Sequence, residues 1–461
     1  FRPASSQRPS NSASRDEAKP SARGEDIDFY ALRQTRIRED EKLARAVVQS
    51  PVAPAEKKVV AREKGGLSSK ENQKFKKLVG AEKKAKKSCA PCHWGLLVSA
   101  ILLTAISVPL VYSASTPIAL DQSGGDADYF LKKQIVFAII GLISMIGLSR
   151  LDREGLRKAA WIFYGVAVVG LILTKFSPLG STMGNTERWL KIGPMTVQMS
   201  EIAKIALLGV MADFWSRAAK KPIQSWAPWA VCSLILAAPV VLTFIQPHLS
   251  ATVVLIFIAI FAAIFAGAPA KQLLTLAGGT IAVVVLAVSL CRTHSMPLLA
   301  PYQQDRIAAK FFGEDGRNEN YQELQGQRAI ARGGLLGVGL GASLYKQGHL
   351  PAPHTDFVFS VIAEEVGFLG AMFIVGLYLA IIYFCFSTAH NTRSPFEAIL
   401  CAGVGAWFGF QVLFNLCVVT GMPVPVTGMP LPVLSYGGSG LICALMGIGL
   451  VLAVSRRTCD A

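Results

Sequence analysis

The sequence predicts an all-α polytopic membrane protein with ten transmembrane helices. Three observations carry that expectation. The 461-residue chain is 52% hydrophobic with a mean hydropathy of +0.43. That hydrophobicity is unevenly placed: residues 1–93 hold almost no apolar run, whereas from Trp94 onward apolar blocks recur, many near the roughly 20 residues that cross a hydrocarbon core. Backbone polar groups cannot stay unpaired in lipid, so such blocks must be helices. Spans are expected at 94–114, 133–149, 158–175, 201–217, 228–246, 249–268, 273–291, 356–386, 396–419 and 434–454. Neither an internal repeat nor a pair of inverted halves is visible.

Charge orients the chain. Residues 1–93 carry 22 Lys/Arg against 12 Asp/Glu, a balance of +10 out of the chain's +16. A Lys-rich tail beside a first membrane helix is the positive-inside signal rather than a nucleic-acid surface, and the short inner loops repeat it with "RLDREGLRK" and "SRAAKK". The tail is too polar to bury a core, so it reads as a basic, largely disordered cytoplasmic segment, too long and charged for a signal peptide. The first residue is Phe1 rather than Met, as in a trimmed chain. An even number of spans returns the short end 456–461 to the cytoplasm. The longest extracytoplasmic loop then covers 292–355, between helices 7 and 8, inside a membrane domain of 94–455. A loop of that length is a place for function.

Of nine cysteines, Cys232, Cys385, Cys401, Cys417 and Cys443 fall in apolar blocks, where cysteine acts as a small hydrophobe. "CAPCH", with Cys89, Cys92 and His93, matches the C-x-x-C-H haem pattern. It directly follows the Lys-rich run, on the wrong side for haem attachment, and no haem is expected.

Three outward constellations could carry chemistry. In "GNTERWLKIGPMTVQMSEIAK", Arg188 and Trp189 stand where a loop meets the interface, either as an aromatic anchor or as a cavity lining. Glu201 and Lys204 lie three apart on one helix face and read first as a structural ion pair. The long loop ends in "YQELQGQRAIARGGLLGVGLGASLYKQGHLPAPHTDF", too glycine-dense for an ordinary helix. Its Arg328, Arg332 and Lys346 suit an anionic ligand such as a pyrophosphate. Asp356 closes the loop, either as a helix cap or as a working carboxylate. Glu364 and Glu365 follow about 12–14 Å deeper at the helical rise, where they need cations, Lys204 among the candidates. "GMPVPVTGMPLPVLSYGGSGLI" makes a rigid turn with Ser435 and Tyr436, either as helix-end geometry or as a rim of the same cavity.

These residues resemble a known family. "ERWLKIGPMTVQMSEIAK", "QPHLSATVVL", "YQELQGQRAIARGGLLGVGLG", "KQGHLPAPHTDFVFSVIAEEVGFLG" and "TGMPLPVLSYGGSGLI" look like the successive signature blocks of the SEDS family of glycosyltransferases, to which FtsW, RodA and SpoVE belong. The likeness covers about 94–455, and "GLGASLYKQGHLP" is more similar to the FtsW branch. It implies polymerisation of lipid II into peptidoglycan at the outer face of the bacterial cytoplasmic membrane, for septal wall synthesis in cell division. It implies Asp356 as the base acting on the acceptor sugar's 4-hydroxyl, with inversion at the anomeric centre and undecaprenyl pyrophosphate leaving. Arg188, Trp189, Lys346 and His354 match cavity-lining positions, and Glu201 and Lys204 the charged pair. A divalent cation, Mg2+ or Mn2+, would suit the leaving pyrophosphate, and a class B penicillin-binding protein and other division-complex proteins are the implied partners. The chain departs from the usual pattern at Ala352, Met199, His248 and Gly440. Two rival readings remain open here: a lipid II flippase and a non-catalytic scaffold.

Overall fold

The computed structural model describes residues 69–122, 125–183, 186–193, 195–219, 225–279, 304, 310, 317–351, 353–422, 424–426 and 428–460. Residues 1–68 of the tail expected at 1–93, much of the loop expected at 292–355, Ala352, and the seventh expected span beyond residue 279 therefore lie outside the described residues.

In chain order the helices are α1 (Ser69–Gln122), α2 (Tyr129–Ser149), α3 (Arg153–Phe176), α4 (Met199–Ala218), α5 (Ala227–Ile245) and α6 (Leu249–Phe265). They continue with α7 (270–279), α8 (Arg317–Gly333), α9 (Val358–Asn391), α10 (Pro395–Val419) and α11 (Gly438–Asp460). Among the described residues, nine of the ten expected spans coincide with helices, and α7 begins the other. Local signals set their ends. Asp152 caps α3 by accepting a hydrogen bond from the Gly155 amide (3.0 Å), and Pro stands in the first turn of α5 and of α10. α1 starts inside the segment read as unstructured. Its extra turns, Ser69 to His93, are rich in Lys, Glu and Ala, all good helix formers.

Among the described residues, seven helices are long and apolar enough to cross a membrane. α6 is shorter, at 17 residues, and α4 carries Glu201, Lys204, Asp213 and Arg217. Burial explains α4: 16 of its 20 residues are buried, Glu201, Lys204 and Asp213 among them, so these three charges face protein rather than lipid, while Arg217 at its end stays largely exposed. α4, α10 and α11 form the centre of the bundle. α2, α3 and α5 lie outside and expose Ile143 (65%), Ile162 (66%) and Leu234 (75%), as lipid-facing helices do.

The all-α expectation needs one correction. The segment 176–200, read as a loop, contains a three-stranded antiparallel sheet: β1 (Gly180–Met183), β2 (Thr186–Ile192) and β3 (Met195–Val197). Trp189 pairs with Ser181 and Leu190 with both Gly180 and Val197. The sheet packs on the ends of α3 and α4 and marks one end of the bundle, called the sheet end below. At the opposite end two buried carboxylates gather arginines. Glu397 accepts hydrogen bonds from Arg153 (3.1 Å), Arg457 (2.9 Å) and Thr392 (3.0 Å). Asp213 does so from Arg217 (2.7 Å) and Trp161 (3.1 Å), with Arg157 at 3.3 Å.

α9 is two helices joined at Gly367, whose φ of 69° and ψ of −174° break the helical ladder. The freed backbone groups are taken up by the glycine-rich chain after α8. Val338 and Gly339 amides donate to Glu364 O and Glu365 O (3.0 Å each), and Phe368 and Leu369 amides donate to Gly334 O (2.9 Å) and Leu335 O (3.2 Å). At its closest point only glycine fits: a Cβ on Gly337 would run into Glu365 O and the Gly367 amide. Gly337 and Gly341 share a φ of +83°, yet a Cβ on Gly341 meets nothing within 4 Å. Both Ala substitutions should therefore cost the 1–2 kcal/mol of a left-handed conformation, about the same for each. Gly337→Ala should lower thermal stability in detergent clearly further, because it also separates the loop from the break; equal losses would deny the contact its role.

Candidate functional site

Asp356 does not cap the helix that it precedes. α9 starts at Val358 with Phe357 as its N-cap, and no side chain caps it. The segment bearing Asp356 is instead held from behind by its carbonyls. The Tyr436 amide donates to His354 O (2.9 Å), Ser435 Oγ to Thr355 O (2.8 Å) and Asn415 Nδ2 to Asp356 O (2.8 Å). Ser435 Oγ also accepts from the Leu431 amide (2.8 Å), so one hydroxyl uses both of its roles. The half-buried Asp356 carboxylate lies beside Gly428, where a Cβ would sit 3.1 Å from Oδ2.

His354 is packed among aromatic rings, with centroids 5.2 Å from Phe130 and 5.6 Å from Tyr436; those two meet edge-on at 4.8 Å. Burial lowers its pKa to about 4, so the imidazole is neutral near pH 7. Its Nδ1 is buried without a hydrogen-bond partner among the described residues. Burial pushes the Tyr436 phenol up to about 12.

Beneath Asp356 the expected ionic layer is present with different pairings. Glu364, fully buried, is bound by Arg332, by Ser343 Oγ and by the Leu344 amide (3.0 Å). Glu365 accepts from Lys346 Nζ (2.7 Å) and from Ser113 Oγ of α1 (2.6 Å), and Lys346 also donates to Ser113 (2.8 Å). Lys204 serves neither carboxylate. It pairs with Glu201 at 2.7 Å and lies 5.5 Å from the Trp407 ring centroid. Lys346, expected among substrate-binding cations, is 5% exposed and held in its pair, while the Arg332 side chain keeps 41% of its surface exposed. At the sheet, the Arg188 guanidinium reaches Pro247 O between α5 and α6. Nearby, Ser200 Oγ and His248 Nδ1 lie 3.2 Å apart. Trp189 is half-buried beside Arg188 on β2.

Set against known proteins, residues 93–459 match the family model FTSW_RODA_SPOVE, described as "Cell cycle protein". The chain belongs to the FtsW/RodA/SpoVE family. It is 32% identical over 371 residues to a "Probable peptidoglycan glycosyltransferase FtsW" of Thioalkalivibrio sulfidiphilus, covering 80% of this chain and 90% of that protein. Stage V sporulation protein E of Bacillus subtilis is 32% identical over 363 residues, covering 78% and 96%. Among solved structures, a chain from work on "coordination of polymerization and crosslinking by a peptidoglycan synthase complex" superposes with a TM-score of 0.64 at 31% identity, covering 79% of this chain and 98% of that one.

For a member of this family, the structure brings His354, Asp356, Ser435 and Tyr436 into one contact set and sets Arg332, Lys346, Glu364 and Glu365 directly below it. Arg188, Trp189, Glu201 and Lys204 belong to the sheet and to α4, to one side. Sequence reasoning missed Asn415, Ser113, Ser343 and Phe130. A buried amide in the apolar run "FQVLFNLCVV" was the available signal for Asn415; the two serines had none, because their partners are remote in sequence. Among the described residues no group of three or more His, Cys, Asp or Glu is arranged to hold a metal ion.

Two measurements check this geometry. Lys346→Met leaves Glu365 buried without its cation and should cost about 3–5 kcal/mol in detergent unfolding, whereas adding Glu365→Met should restore much of the loss; strictly additive losses would refute the pair. For His354, the folded value near 4 lies below the ordinary 6.5, so its contribution is present above pH 6.5 and lost as pH falls toward 4. Between pH 7.5 and 5 wild type should lose about 2 kcal/mol more than His354→Phe; parallel profiles would place the imidazole in water.

Proposed function

We propose that this protein is a peptidoglycan glycosyltransferase that polymerises lipid II at the outer face of the cytoplasmic membrane, in septal wall synthesis. The observation that carries the reading is the Asp356 segment in a chain of this family. Asp356 is not the N-cap of α9, yet its segment is fixed by three carbonyl clamps at the start of that broken helix. A structural cap would not need that support. Ten spans with both termini cytoplasmic, the orientation favoured by the arginine-rich end around Glu397 and Asp213, would turn the sheet end and Asp356 outward.

In this reading Asp356 accepts the proton of the acceptor sugar's 4-hydroxyl as its oxygen bonds to the donor's anomeric carbon. The bond from that carbon to undecaprenyl pyrophosphate breaks with its electron pair on the leaving group, and attack from the opposite face inverts the centre. A pyrophosphate leaves as an anion, so it needs charge stabilisation rather than an acid. The exposed side of Arg332 is a candidate cation, and Lys346 acts at one remove, by holding Glu365. A divalent cation would rest on Asp356 and the substrate's own phosphates, as Mg2+ commonly does with one or two carboxylates. Neutral His354 supplies a hydrogen-bonding nitrogen rather than a charge. A class B penicillin-binding protein fits as the cross-linking partner, since polymerisation alone makes no cross-links, and the septal role brings other division proteins with it.

Purified lipid II with wild type and Asp356→Asn, each with and without the cognate transpeptidase, tests this on a gel. Long glycan strands from wild type should fall by at least about 100-fold in the Asn variant, which still co-purifies with the transpeptidase. Equal polymer from both would remove Asp356 as the base. No polymer from wild type with its partner would favour the flippase or the scaffold.

A further inference from the structure

We infer that Asn415 of α10 is a positioning residue for the Asp356 carboxylate, setting its distance from the Gly428–Met429 backbone through one amide nitrogen. The inference rests on the assignment of Asp356 as the base. Asn415 is 2% exposed on a helix meant for lipid and protein contacts. An amide buried in such a helix is costly unless its hydrogens are used. Both are used here, and on backbone: Nδ2 donates to Asp356 O and to Met429 O, each at 2.8 Å.

Those two carbonyls belong to different parts of the chain. Asp356 ends the loop before α9, whereas Met429 lies in the connection before α11. One nitrogen therefore joins three segments that no local rule brings together. Its placement matters for the carboxylate because Gly428, the neighbour of Met429, is the residue beside Asp356 Oδ2. The clamps from Ser435 and Tyr436 act on Thr355 and His354; the Asn415 bond acts on the carbonyl of Asp356 itself. A base displaced by about 1 Å can lose on the order of 100-fold in rate, so a bond at this atom controls turnover without touching substrate.

The test uses the full chain with its transpeptidase, comparing wild type with Asn415→Ala and with Asn415→Asp, which keeps the shape but, ionised, offers no donor. Turnover on lipid II is read together with labelling of Asp356 by dicyclohexylcarbodiimide across pH, followed by peptide mass spectrometry. A positioning role predicts a fall in kcat of about 10–100-fold with KM within about twofold, and a shifted pH profile of Asp356 labelling, in whichever variant keeps wild-type transpeptidase binding and thermal stability. Wild-type kcat and an unchanged labelling profile in a folded variant would overturn it. If wild type itself forms no polymer, the proposed activity fails. The labelling profiles then decide the Asn415 question alone: a shift upholds the clamp and no shift removes it.

Discussion

Every part of the candidate site depends on one constraint: a backbone that leaves helical geometry at membrane depth must find hydrogen bonds inside the protein. α9 breaks at Gly367, and the break frees acceptors at Glu364 and Glu365 and donors at Phe368 and Leu369. The chain from Gly334 to Gly339 supplies the complements. Two of the glycines answer to this contact directly: a Cβ on Gly333 would meet Ala363 O, and one on Gly337 would meet Glu365 O. The loop delivers Ser343 and Lys346 to the carboxylates beside the break.

The ionic layer follows from the same contact. Two adjacent glutamates on a helix point to different sides, so each needs its own partner. Glu364 turns toward the loop and meets Arg332, Ser343 and backbone amides, while Glu365 turns toward α1 and meets Lys346 and Ser113. Burying such pairs costs desolvation that only good geometry offsets. What they contribute is register, because loop, α1 and both halves of α9 are tied where the helix is broken.

Above that layer the Asp356 segment has no helix of its own, and its carbonyls are satisfied by Asn415, Ser435 and Tyr436. The "SY" of the glycine-rich turn, read from sequence as a cavity rim, acts here as backbone support, and Tyr436 also walls in His354. His354, whose Nδ1 has no hydrogen-bond partner among the described residues, lies two residues from the carboxylate. Support and chemistry thus share the same few residues.

Much of this was legible in the sequence. Hydrophobic blocks alone located the described helices, since a membrane leaves the backbone no other choice. Asp356 stood out as an ionisable group at a helix mouth, and Glu201–Lys204 as neighbours on one turn, because both judgements need only local spacing. The sheet at 180–197 was less visible: its strands are short, though "GP" between "ERWLKI" and "MTV" was a turn signal. Which cation meets Glu364 or Glu365, that Lys204 meets neither, and that Asn415 holds Asp356 were beyond reach. Those contacts join residues separated by 19 to 252 positions, and only the packing of the helices decides which distant side chains become neighbours.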